Sequence, residues 1–122
     1  MENRYFGQFT NVTDLQEKFK NSTGINDDEI LLAIYQEEDY SGSAFVLLKR
    51  NGQLLEVEAS HCSCNGLEGQ WDPAPTAWKA QELRLKDRNG SWLRGWHFAE
   101  FKQAFEALVN MATFWEEAET HD

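Results

Sequence analysis

Two runs of strand-forming residues flank the dipeptide Asn51-Gly52, and this arrangement constrains the fold more than any other feature of the sequence. Asn and Gly readily adopt the positive φ angles that a two-residue hairpin turn requires. We therefore predict that Ala44 to Lys49 and Leu54 to Ala59 are adjacent antiparallel strands. In the second run, apolar residues alternate with Glu56 and Glu58, so one face should be buried and the other should meet water.

A further strand is expected before this hairpin. Ile30 to Tyr35 is short, apolar at every position and rich in β-forming residues, which is typical of a central strand covered on both faces. The acidic segment Glu37 to Gly42 contains a glycine and is predicted to form the turn into the next strand. Together the three strands would make an antiparallel meander.

A short helix is expected ahead of the strands. Thr13 and Gln16 have the spacing of a capping box, and Leu15 and Phe19 then lie on one helical face. We expect this helix to end around Asn21 to Gly24, where glycine can take the left-handed conformation.

Two helices are expected after the strands. Thr76 can cap one that carries Trp78 and ends by Asn89-Gly90. The other has the most regular apolar stripe in the sequence, at Phe98, Phe101, Phe105, Leu108, Ala112 and Trp115. Its spacing predicts a helix of about five turns or more that packs on the sheet.

These elements predict one α+β domain over residues 1–122. It would contain a three-stranded antiparallel sheet, a short N-terminal helix, a helix after the Cys loop (residues 60–75) and a long C-terminal helix on the sheet. The aromatic content of 13% indicates a folded chain with a real core.

The formal net charge is −10, and it is unevenly distributed. Eight acidic and two basic residues give −6 over residues 14–40, six acidic and one basic give −5 over 98–122, and residues 79–94 carry +3. Direct binding to nucleic acid or to an anionic membrane is therefore electrostatically disfavoured. A partner with a basic surface is favoured, and two merely solvated acidic faces are the alternative.

A reduced, cytoplasmic setting is expected. No basic-led apolar stretch begins at Met1, and the longest apolar run, Ile30 to Tyr35, is too short to span a bilayer. The only cysteines, Cys62 and Cys64, are one residue apart and would close a small, strained ring.

The segment His61-Cys62-Ser63-Cys64 leaves three interpretations open. It could ligate zinc, with His97 or Asp72 as the fourth ligand, it could supply a thiolate nucleophile, or its cysteines could simply pack the loop. No carboxylate pair has catalytic spacing and no glycine-rich phosphate loop is present, so we expect a non-enzymatic protein without a cofactor.

The tryptophans divide into two groups. Trp78 and Trp115 fall on apolar helical faces and are expected in the core. Trp71, Trp92 and Trp96 lie among glycines and are candidate anchors for a partner.

The string SHCSCNGLEGQW, from Ser60 to Trp71, is followed by Asp72-Pro73 and by Thr76-Ala77-Trp78. This run resembles a group of small proteins of unknown function encoded by bacteriophages and prophages, and the likeness covers about residues 29–80. The resemblance implies a phage-like origin and a cytoplasmic setting in a host cell, and it brings no established activity.

Charge, size and this resemblance favour an inhibitor of a host defence complex that handles nucleic acid, of anti-CRISPR or anti-restriction type. Its carboxylates would occupy a basic surface that normally binds DNA or RNA. The candidate contacts are Asp27, Asp28, Glu29, Glu37, Glu38, Asp39, Glu116, Glu117 and Glu119, together with Trp71, Trp92 and Trp96. The alternatives are a metal- or thiol-dependent accessory factor built on His61, Cys62 and Cys64, and a subunit of a phage assembly or regulatory complex.

Overall fold

The computed structural model describes residues 3–62, 66–87 and 91–120, with side chains as far as Phe114. The chain divides into two compact units, Met1–Pro75 and Thr76–Asp122. The described part of the first unit forms a sheet and a helix, and that of the second unit is mainly helical. The single domain expected over residues 1–122 stays a prediction.

The first unit contains one mixed sheet of five strands in the described residues, with the spatial order of the sequence. The strands are β1 (Tyr5–Gly7), β2 (Ile30–Glu38), β3 (Ser41–Arg50), β4 (Gln53–His61) and β5 (Ala74–Pro75). The antiparallel meander of β2, β3 and β4 confirms the central part of the predicted fold.

The sheet is larger than the predicted three strands. β1 pairs with β2 in parallel, and β5 pairs with β4 in antiparallel fashion. With three and two residues, these strands are too short to show the alternation that identifies a strand in a sequence. The parallel pair needs a crossover connection, and the helix α1 (Val12–Phe19) lies in it.

Both hairpin turns are tight. Asn51 and Gly52 have φ angles of 52° and 79°, as predicted for this dipeptide. The β2–β3 turn is shorter than the predicted segment from Glu37 to Gly42, because only Asp39 and Tyr40 lie between the strands. Asp39 has a φ of 54°, which Asp tolerates better than most residues.

Helix α1 is capped differently from the prediction. Asn11 is the N-cap and accepts a hydrogen bond from the Asp14 backbone N–H at 3.0 Å, whereas Thr13 lies inside the helix. The Asp14 carboxylate in turn accepts from the backbone N–H and the hydroxyl of Thr10, at 2.7 and 2.6 Å. The helix ends at Phe19, and Lys20, not Gly24, takes the left-handed conformation with a φ of 57°.

The core of the first unit lies on the face of the sheet that α1 covers. Leu15 and Phe19 of α1 are buried there, as predicted, and Phe9 contacts the Tyr35 ring at 5.4 Å between centroids. The strands contribute Ala33, Tyr35, Ala44, Val46, Leu48, Leu55, Val57 and Ala59 to this core. Residues that alternate with them on β2 and β3, such as Ile34 and Phe45, are also buried, so the central strands are covered on both faces.

In the second unit, helix α2 (Trp78–Lys86) begins without a side-chain cap at Ala77, so the predicted Thr76 cap is wrong. The Thr76 hydroxyl instead accepts a hydrogen bond from the Gln81 amide at 2.8 Å. Gln81 is fully buried, and its carbonyl accepts from Arg84 at 2.8 Å. The helix ends at Lys86, and the predicted end at 89–90 lies outside the described residues.

The helices α3 (Ser91–Arg94) and α4 (Ala99–Thr120) complete the second unit. In the described part of α4, the buried side chains are Phe101, Phe105 and Val109. The first two belong to the predicted stripe, whereas Val109 is buried in place of Leu108, which is half-buried. Phe98 precedes the helix and is 37% exposed, and the side chain of Trp115 lies outside the described residues. Packing of α4 on the sheet stays a prediction.

Two arginines, one just before β1 and one at the end of β3, connect the sheet to the short 3-10 turn at Asp27–Glu29. Arg4 donates to the Asp27 carboxylate at 3.0 and 3.1 Å, and the Tyr5 hydroxyl also donates to this carboxylate. Arg50 donates to both carboxylate oxygens of Glu29. The bonds from Tyr5 and Arg4 hold the pKa of Asp27 below its ordinary value.

Replacing Asp27 with Asn should destabilise the fold by about 1 kcal/mol at neutral pH, because the Arg4 pair is largely solvent-exposed. Since the pKa of Asp27 is lowered in the folded state, this stabilisation is present at neutral pH and is lost as the pH falls through that lowered pKa. Urea denaturation at about pH 7 and about pH 2 measures the difference. Equal stability of the two proteins at neutral pH would contradict the role of this contact, and Asp28→Asn is the control.

Candidate functional site

Three residues form one row across the meander, next to the β2–β3 turn. Glu37 of β2 is opposite Gly42 of β3, which in turn is opposite His61 of β4. Tyr35 lies two residues before Glu37 and therefore on the same face of the sheet. This register brings an acid, a phenol and an imidazole together where the hydrophobic core ends.

Tyr35 and His61 are joined directly. The Tyr35 hydroxyl lies 2.6 Å from His61 Nε2, and His61 Nδ1 lies 3.0 Å from the backbone carbonyl of Cys62. A carbonyl can only accept, so Nδ1 carries a proton, and in the neutral imidazole the Tyr35 hydroxyl then donates to Nε2. The imidazole is thus held in one orientation by neighbours on both sides.

Gly42 makes this contact possible. A Cβ at position 42 would lie 2.5 Å from His61 Nε2 and 2.8 Å from Tyr35 Cε1, closer than side chains tolerate. Any other residue would push the two rings apart. The glycine is therefore required for the close approach of Tyr35 and His61.

An open cleft of about 400 Å³ lies over this pair. On the sheet side its lining residues are Tyr35, Glu37, Asp39, Tyr40 and His61. On the other sides α1 and its C-cap contribute Glu17, Lys18 and Lys20, and the segment after β4 contributes Cys62 and Glu68. The cleft is therefore charged at its rim and aromatic at its floor.

The β2–β3 hairpin projects its end beside the cleft. Glu37, Glu38, Asp39 and Tyr40, which we call the acidic tip, are all exposed. Tyr40 is 79% exposed, more than any other large hydrophobic side chain in the described part of the chain. Tyrosine is one of the residues enriched at the hot spots of protein interfaces.

The acidic residues predicted to contact a partner lie in different environments. Asp27 and Glu29 pair with arginines within the chain, Asp28 is exposed, and the acidic tip is exposed beside the cleft. The side chains of Glu116, Glu117 and Glu119 lie outside the described residues. The structure thus distinguishes carboxylates that hold the fold from carboxylates that face solvent.

The three candidate tryptophans make contacts within the chain. Trp71 is half-buried, with its ring edge-on to Phe19 at 5.2 Å. Trp92 packs on Phe105 at 5.2 Å and under the Arg84 guanidinium at 5.1 Å. Trp96 is buried, at 5.6 Å from Phe101.

For the predicted zinc or thiol site, the structure describes only part of the donor set. Cys62 is an exposed free thiol, and Cys64 lies outside the described residues. Within residues 3–62, 66–87 and 91–114, His, Cys, Asp and Glu form no group of three that could hold a metal ion.

No protein-family model, curated protein or solved structure matches this chain. The resemblance to phage and prophage proteins therefore stays a prediction. None of the helices in the described parts of the chain is long and apolar enough to cross a membrane.

Sequence reasoning found His61 and the three carboxylates of the acidic tip but missed Tyr35, Tyr40 and Gly42. Tyr35 ends the apolar run of the predicted central strand, and Gly42 falls in the predicted turn from Glu37 to Gly42. The available signal was the hairpin itself, because pairing Glu38 with Ser41 fixes which residues lie opposite each other.

Replacing Gly42 with Ala should separate Tyr35 from His61 and lower the free energy of unfolding by about 1–3 kcal/mol, the usual cost of overpacking. NMR of the His61 ring protons and urea denaturation measure the two effects. The control is Gly66→Ala, because a Cβ at Gly66 meets nothing within 4 Å. Unchanged His61 signals in the Gly42 variant would show that this contact is not as close as the structure has it.

Replacing Glu37 with Gln should lower the pKa of Tyr35 from about 12 without restoring the ordinary value. Burial is the largest cause of the raised pKa, and the negative charge of Glu37 adds to it. Stability from the neutral Tyr35 phenol is present below the ordinary pKa near 10 and is lost as the pH rises through about 12. A ¹³C NMR titration of the tyrosine ring carbons measures the change, and an unaltered midpoint would exclude the influence of Glu37.

Proposed function

We propose that this chain is a small, acidic, non-enzymatic protein of phage type that binds and inhibits a host defence complex. The target would handle nucleic acid, as in the anti-CRISPR or anti-restriction type of inhibition, and the acidic tip would occupy its basic nucleic-acid-binding surface. The single observation that carries this proposal is the exposure of Glu37, Glu38 and Asp39 together with Tyr40 on one hairpin end.

The distribution of arginines supports the choice of this surface. The first unit contains two arginines, Arg4 and Arg50, and both pair with carboxylates of the 3-10 turn. The hairpin end itself contains no basic residue between Gln36 and Ala44. Three acidic residues at one end therefore give it a negative potential that a cationic groove would attract, although Lys18 and Lys20 across the adjacent cleft reduce it.

The hairpin also favours binding by its rigidity. β2 and β3 are paired without interruption from Leu32 to the turn, so the acidic side chains project from an ordered backbone. Little conformational entropy is lost when an already ordered segment binds. Tyr40 adds a large ring that buries apolar area and offers a hydroxyl to the partner.

The test compares the tagged protein with the triple variant Glu37→Gln, Glu38→Gln, Asp39→Asn in capture from a bacterial lysate at low salt. We expect the wild type to capture a nucleic-acid-handling complex that is released by DNA competition and by high salt. The amount of complex captured by the variant should be about tenfold lower, as expected when three charge contacts of about 0.5 kcal/mol each are removed. Mass spectrometry identifies and quantifies the captured proteins.

The matched control is the triple variant Asp28→Asn, Glu100→Gln, Glu106→Gln, which removes the same number of exposed charges elsewhere. It should retain capture. If both triple variants lose capture equally, net charge and not the acidic tip is responsible. Capture that stays the same at high salt and in the presence of competing DNA would contradict the proposed mode of inhibition.

A further inference from the structure

We propose that the cleft beside the acidic tip is a binding site for an organic cation, the guanidinium or ammonium group of a side chain on the partner's basic surface. This inference rests on the proposed function and adds a defined pocket to it. The two remain separable, because a small cationic probe tests the cleft without the partner.

The cleft combines the two features that recognise organic cations. Tyr40 and His61 give it an aromatic lining, the buried Tyr35 contributes its hydroxyl end, and the Glu37 and Asp39 carboxylates stand at its sheet side. Aromatic faces attract guanidinium and ammonium groups, and carboxylates accept their hydrogen bonds. Neither feature alone would define a site, but the structure places both around one cavity.

The floor of the cleft is formed by a buried side chain that is held in a fixed position. Tyr35 is only 4% exposed, and its hydroxyl is fixed by the bond to His61. While that hydroxyl donates to His61 Nε2, its oxygen still has a lone pair that can accept from a ligand N–H. A ligand would thus meet an acceptor whose position is set before it arrives.

The size of the cleft limits what enters it. A volume of about 400 Å³ lies at the lower end of the range for small-ligand pockets. It has room for one long side chain with its terminal group. A nucleotide would also meet the carboxylates of Glu37, Asp39 and Glu68, which would repel its phosphate groups.

Two lysines lie at the opposite rim of the cleft. Lys18 and Lys20 line the cleft from the end of α1, and Lys18 also acts electrostatically on Asp14 one turn earlier. Their charges oppose those of Glu37 and Asp39, so they should weaken the binding of a cation. Removing an acid and removing a lysine are therefore expected to change affinity in opposite directions.

The probe is N-acetyl-L-arginine amide, and its matched control is N-acetyl-L-citrulline amide, which has nearly the same shape without the charge. In an NMR titration of the full chain, the arginine probe should produce saturable shifts of the His61 and Tyr40 ring signals. The citrulline probe should produce none. Equal shifts with both probes, or none with the arginine probe, would overturn the proposed site.

Variants then test which charges matter. Glu37→Gln and Asp39→Asn should each weaken the arginine probe roughly two- to fivefold, the effect of one exposed ion pair. Lys20→Asn should tighten it by a similar factor, and both Asn substitutions suit the positive φ angles at their positions. Asp28→Asn should leave the affinity unchanged, and weaker binding by Lys20→Asn would contradict the inference.

The partner experiment separates the two proposals. If the probe binds the cleft but the acidic-tip variant still captures the host complex, the cation site stands and the proposed function fails. If the tip variant loses capture but the probe does not bind, the proposed function stands and the cleft is not the cation site. Capture that is lost in the tip variant and reduced by millimolar arginine probe identifies the partner's side chain as the ligand.

Discussion

The register between β2 and β3 places Tyr35 opposite Ala44 and Glu37 opposite Gly42, and the cleft and the acidic tip follow from it. A shift by one residue would turn Tyr35 to the other face of the sheet and separate it from His61. The small residues Ala44 and Ala59 on the neighbouring strands leave space for the Tyr35 ring. Gly42 then allows the His61 ring to reach its hydroxyl.

The ion pairs of the first unit divide the acidic residues into two roles. Arg4 and Arg50 bind Asp27 and Glu29, which hold β1 and the 3-10 turn against the meander. Arg50 also donates to the backbone carbonyl of Gly24, which connects the end of the α1 crossover to β3. Both arginines of the first unit are thus engaged at the 3-10 turn, whereas the hairpin end between Gln36 and Ala44 contains three acidic residues and no basic residue.

Much of the central sheet could be predicted because its signals are local. Asn51-Gly52 and the alternation around Glu56 and Glu58 depend on turn and pleat geometry, which adjacent residues determine. The edge strands β1 and β5 could not be predicted, since strands this short are stabilised by their neighbours and not by their own composition.

The helix ends and the candidate site also could not be predicted fully from local sequence signals. Asn11 and Thr13 can both cap a helix, and the contact between Asp14 and Thr10 favours Asn11. His61 and the acidic tip were recognisable by residue type. Their partners Tyr35 and Gly42 were not, because their role depends on the register of three strands and not on their residue type.

The most direct test of the account is hydrogen–deuterium exchange of the full chain, alone and bound to its captured partner. If the acidic tip is the docking surface, backbone amides from Gln36 to Ala44 should become more protected in the complex, with the segment around His61 following them. Protection confined to α4, with the hairpin end exchanging as in the free protein, would contradict the central claim.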